Sequence, residues 1–96
     1  MYEPKVKNSQ TDRLMKAMVQ LQNEEDAYRF FEDLCTIPEL ISISQRLEVA
    51  YLLRNKETYQ KIAEETGASS ATISRVNRAL NYGADGYNRV LDQMEK

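Results

Sequence analysis

Apolar residues recur every three or four positions along almost the whole chain and show no sustained alternation, which commits the sequence to α-helices rather than strands. Three glycines and two prolines stay clear of the periodic runs. An all-α fold follows. At 96 residues there is room for one domain, and the hydrophobic share of 42% is enough for a core. A chain this short buries a small fraction of its surface, so its stability margin is thin, and dimerisation is a common remedy.

The pattern divides into a polar, flexible arm over residues 1–11 and a single helical domain over 12–96. A first helix is predicted from Asp12, its cap, to Gln22, with the stripe Leu14, Met15, Met18 and Leu21. Asn23 caps a second helix. Glu24, Glu25 and Asp26 lie in its first turn, where the helix dipole favours negative charge, and Ala27, Phe30, Phe31 and Leu34 form its stripe. Thr36 and Glu39 have capping-box spacing around Pro38 and predict a short helix ending near Ile43. Ser44 then reads as the cap of a further helix to Arg54. Leu47, Val49, Ala50, Tyr51, Leu52 and Leu53 cover most of its circumference, which places it in the middle of the core. Near the carboxyl end Gly83 reads as a left-handed stop. Asp85 reads as the cap of a last helix carrying Tyr87, Val90, Leu91 and Met94.

What is missing narrows the chemistry. With no histidine there is no imidazole base, no histidine metal ligand and no imidazole pH switch. The lone Cys35 cannot form an internal disulfide and reads as a small apolar residue. No catalytic constellation, phosphate loop or metal-ligand spacing is present, so an enzyme is not expected, nor is a cofactor. No signal peptide and no apolar run of membrane-span length is seen, so the expected location is the cytoplasm, with no membrane partner.

The informative stretch is Thr58 to Leu80. Two helices meeting steeply across a short turn need a small residue at the crossing, a residue able to take positive φ in the turn, and a cap on the second helix. Ala63, Gly67, and Ser69 or Ser70 meet these needs. Ile73, Val76 and Leu80 then face back toward Ile62. The other face of the second helix carries Ala71, Arg75, Arg78 and Tyr82, flanked by Thr72 and Ser74. Small residues allow close approach to a major groove, hydroxyls can bond bases or phosphates, and arginines can pair with phosphate or guanine. Thr58, Tyr59 and Gln60 open the first helix, whose amino terminus also suits phosphate.

The net charge of −2 argues mildly against this, but the charge is unevenly spread. Residues 24–57 hold eight acids against four bases, whereas residues 68–84 hold Arg75 and Arg78 and no acid. A helix-turn-helix over residues 58–80 that binds double-stranded DNA is the leading reading. The alternative is a helical protein-interaction module, adaptor- or antitoxin-like, in which Arg75 and Arg78 are solvated surface charges. Tyr82 and Tyr87 fit either a DNA backbone contact or a cover for the last helix.

At Gly67-Ala68 and Ala71-Thr72-Ile73-Ser74-Arg75, with Leu52-Leu53-Arg54 upstream in register, the chain resembles the Trp repressor superfamily in its YerC/YecD-type branch of bacterial proteins. The likeness covers Leu34 to Leu80 well and the two ends more loosely. It implies a six-helix Trp-repressor-like domain, an intertwined homodimer, and transcription regulation, as a repressor of amino-acid biosynthesis genes. It implies that Ser70, Ala71, Thr72 and Ser74 approach bases and that Tyr59 and Gln60 lie near phosphate. The resemblance leaves open either an amino-acid corepressor, with histidine one candidate by analogy, or no ligand at all. Tryptophan-binding relatives hold the indole between two arginines. Arg75 matches one. Gln45 stands in register with the other, and Arg46 is one place, or about 100° of helix, away. Val76 stands where those relatives have a glycine. The effector set implied is Gln45, Arg46 and Arg75, with tryptophan itself not expected to fit. From the residues alone, Gln45 reads as a first-turn polar group and Arg46 as an ion-pair partner for a nearby carboxylate.

Overall fold

Asn8, Asn23, Thr58 and Ser69 each place a side-chain oxygen just ahead of an apolar stripe and start a helix there. The structure, a computed structural model, describes residues 2–96. The helices are α1 (Ser9–Met18), α2 (Glu24–Leu34), α3 (Ile37–Arg54), α4 (Tyr59–Thr66), α5 (Ser70–Tyr82) and α6 (Gly86–Met94). The chain falls into two compact units, Met1–Thr36 and Ile37–Lys96.

In the first unit α1 starts three residues before the predicted boundary, so residues 9–11, expected in the arm, are helical. Asn8, not Asp12, is the cap: its Oδ1 accepts from the Gln10 and Thr11 amides, each at 2.9 Å, and Thr11 Oγ1 accepts from the Asn8 amide at 2.9 Å. This reciprocal pairing satisfies more orphan donors than a lone aspartate would. Asp12 instead pairs with Lys7 at 2.7 Å. The helix ends at Met18, short of Gln22. The amides of Gln20 and Leu21 bond three residues back, and Asn23 must be extended to cap α2 through the Asp26 amide at 2.8 Å. Phe30 and Phe31 meet edge to face with centroids 5.7 Å apart. Neither α1 nor α2 contains a buried residue.

The second unit is built on α3. The break predicted at Ser44 does not occur. Its hydroxyl donates to the Leu40 carbonyl at 2.8 Å, the back-bond open to a serine inside a helix, and α3 runs unbroken for 18 residues. Two predicted helices thereby become one. Val49, Ala50 and Leu52 of α3 are buried with Ile62, Ala68, Ile73, Val76 and Leu91, and Leu47, Leu53, Ala63, Leu80 and Tyr87 pack around them. The helix α3 therefore touches α4, α5 and α6 in turn. Its circumference is less enclosed than the pattern predicted, since Tyr51 is exposed.

Two expected turn roles are corrected. Gly83 is not left-handed: its φ is −88° and its ψ −152°. Glycine is needed there because a Cβ would lie 2.5 Å from the Ala79 carbonyl oxygen. Asp85 makes no side-chain cap. It is itself left-handed, with φ 67°, and its carboxylate faces Arg89 at 3.5 Å. No helix among the described residues is long and apolar enough to cross a membrane.

Candidate nucleic-acid interface

The pair α4–α5 is assembled by the residue types its geometry demands. Thr58 caps α4, its Oγ1 accepting from the Lys61 amide at 3.2 Å. Gly67 closes α4 in the left-handed region at φ 74°, and its amide returns to the Ala63 carbonyl at 2.9 Å. Of the two candidate caps for α5, Ser69 takes the role by accepting from the Thr72 amide at 3.1 Å, which leaves Ser70 as the first helical residue. Ile62, Ile73 and Val76 are fully enclosed and Leu80 packs beside them, so the inner face of α5 is locked against α4 and α3 as the spacing predicted.

That locking decides what the outer face presents. Ser70, Ala71, Ser74, Arg75 and Arg78 are all exposed on it. Ala71, Ser74, Arg75 and Arg78 line one cleft of about 240 Å³. Among the described residues neither Arg75 nor Arg78 meets a carboxylate. Two unpaired guanidinium groups thus stand about one helical turn apart beside small side chains. Thr72 is half-buried, and its hydroxyl accepts from Ser69 at 3.1 Å. Tyr59 and Gln60 are exposed at the start of α4, with Gln60 donating to Glu64 at 3.4 Å. The two tyrosines that sequence alone left open now separate. Tyr82, at the end of α5, is 87% exposed, whereas Tyr87 packs on the core.

Of the three residues implied as effector ligands, Arg75 lines a cleft that neither Gln45 nor Arg46 lines. The cleft beside Arg75 is walled by α5 alone. Gln45 is not a first-turn residue but lies in the middle of α3, and its Nε2 donates to the Thr66 carbonyl at 3.1 Å. Arg46 has no carboxylate partner among the described residues; it donates to the Ser42 hydroxyl at 3.0 Å, one turn back on α3. Val76 is buried in the core. No group of three or more acidic, cysteine or histidine side chains among the described residues is placed to hold a metal ion.

Two links escaped the sequence. Gln45 ties α3 to the end of α4 across 21 residues, and Arg54 ties the end of α3 to α6 through Asp92 at 2.6 Å. Both join residues far apart in the chain, where periodicity carries no signal.

Six helices, with a capped pair packed on a long central helix and a basic outer face, are the architecture of a known class. The Trp repressor protein family matches residues 9–95, and the chain belongs to that family, one of regulators rather than enzymes. It is 52% identical over 92 residues to an uncharacterized protein, YerC, of Bacillus subtilis strain 168, covering 96% of this chain and 88% of that protein. The crystal structure of a TrpR-like protein from Eubacterium eligens has the same fold, with a TM-score of 0.89 and 55% identity over 95% of this chain and 94% of that one. A solved structure from Staphylococcus aureus is similar at TM-score 0.89 and 47% identity, covering 95% and 91% of the two chains.

Proposed function

We propose that this chain is a sequence-specific DNA-binding transcription regulator, a repressor acting in the cytoplasm as an intertwined homodimer and reading duplex DNA with α5. The observation that carries the reading is the exposed face of α5, where among the described residues Arg75 and Arg78 meet no carboxylate and stand beside Ser70, Ala71 and Ser74 within an acid-free stretch. In a helix-turn-helix the first turns of the second helix approach base edges, which suits the small residues at 70, 71 and 74. Arg78 lies further along and suits phosphate, and Thr58, Tyr59 and Gln60 suit phosphate at the opening of α4. Family membership supports regulation of amino-acid biosynthesis genes, with an amino acid as the first effector to seek.

Dimerisation is supported by apolar side chains left uncovered within one copy. In the first unit Met15 is 52% exposed, Val19 77% and Tyr28 65%. The same residues suit a partner protein, so an adaptor remains the second reading. Selection of a duplex from a random library, followed by binding across a salt series, tests the proposal. Binding whose logarithm falls steeply with log salt, by a protein that sediments as a dimer, is expected. Binding to no duplex at any salt would leave the adaptor reading in its place.

A further inference from the structure

We infer that Gln45 is a positioning residue for DNA reading: its side-chain amide holds the turn ahead of α5 at the angle that sequence recognition needs. The inference rests on the DNA-reading role of α5 and goes on to say what sets the pose of that helix.

Gln45 stands one turn before Val49, which is fully enclosed, so it projects from the core-facing side of the most buried helix. Its Nε2 donates to the carbonyl of Thr66 at 3.1 Å in a partly buried setting. Thr66 is the last residue of α4, where a helix leaves its carbonyls without internal partners. The rest of the turn is bonded locally. The Thr66 hydroxyl donates to the Ile62 carbonyl at 2.7 Å and accepts from the Ala68 amide at 3.1 Å. These local bonds define the shape of the turn but not its angle to the core. Among the described residues, the bond from Gln45 is the one hydrogen bond that reaches the turn from outside the α4–α5 pair.

The first residue of α5 lies four positions after Thr66. A small rotation at the turn therefore moves Ser70, Ala71 and Ser74 together. Hydrogen bonds to base edges depend steeply on distance and angle, whereas a guanidinium–phosphate attraction tolerates displacement. Loosening the turn should thus lower affinity for a preferred duplex while leaving affinity for random duplex almost unchanged. A residue that merely stabilised the fold would lower both together, along with the melting temperature.

The test compares wild type, Gln45→Met, which keeps the length and loses the donor, and Gln45→Lys, which keeps a donor. Each is titrated against the duplex selected by the wild type and against random duplex, in buffer without added small molecules, with thermal melting alongside. The expected result is a loss of about fivefold in preference for the selected duplex in Gln45→Met, the size of one hydrogen bond, with random binding held and preference recovered in Gln45→Lys. Equal preference in all three proteins overturns the inference. So does an unfolded Gln45→Met, because the residue would then hold the fold and not the pose. A wild type that prefers no duplex sinks the DNA reading itself, a result seen before any variant is compared.

Discussion

The guanidinium of Arg54, at the last position of α3, meets the carboxylate of Asp92 on α6 at 2.6 Å and also donates to the Asn88 carbonyl at 3.2 Å. One side chain thus fastens the final helix to the central one, with Glu95 a further 3.8 Å neighbour. From α6, the Asn88 side chain bonds the Leu80 carbonyl at 3.1 Å, so the end of α5 is tied in as well.

Arg54→Met should therefore cost about 1–2 kcal/mol, the range for charge-assisted bonds at a partly covered site. Asp92→Asn should cost less, within about 1 kcal/mol, because the Asp92 carboxylate is mostly in solvent and screened. Chemical denaturation of both variants checks the order. An Asp92 variant weaker than the Arg54 variant would mean that the Asn88 contact contributes nothing.

The two turn glycines should fail for different reasons. At Gly67 an added Cβ meets nothing within 4 Å, so Gly67→Ala bears only the left-handed backbone penalty, about 1 kcal/mol after the entropy it removes from the unfolded chain. At Gly83 the added Cβ would stand 2.5 Å from a backbone oxygen, so Gly83→Ala must shift the chain and should cost about 1–3 kcal/mol. Thermal melting distinguishes the two, and Gly83→Ala should also disturb the register of α6.

On α5, Ala71→Glu should abolish operator binding by setting a carboxylate against the duplex. Arg78→Ala should weaken all sequences alike and reduce the salt slope by about one. Both positions are exposed, so both variants should keep the wild-type helical circular dichroism. In a dimer the half-sites should lie about 34 Å apart, giving a near-palindromic operator. A folded Ala71→Glu that still binds normally would remove α5 from the reading role.

Free tryptophan should bind weakly or not at all. Gln45 is already engaged with the Thr66 carbonyl, and Val76 is packed into the core where tryptophan-binding relatives have a glycine. Calorimetry at millimolar tryptophan should show no saturable heat. Micromolar affinity would mean that Gln45 can be displaced or that Arg46 leaves Ser42.

The helical class and the inner face of the α4–α5 pair were legible in the residue pattern alone. So were the left-handed turn at Gly67 and the acid-free outer face of α5. Each is a local matter: an apolar period, a residue without Cβ, a hydroxyl one step before a stripe. Family membership was legible from the same stretch. The folded chain was needed to show that Ser44 bonds backward instead of breaking α3, and that Asn8 outcompetes Asp12 as a cap. It alone joined Gln45 to Thr66 and Arg54 to Asp92. A serine has both options in sequence, and the bond of its hydroxyl to the Leu40 carbonyl shows which one the folded chain takes. The links of Gln45 and Arg54 join atoms 21 and 38 residues apart, which become neighbours only once the helices pack.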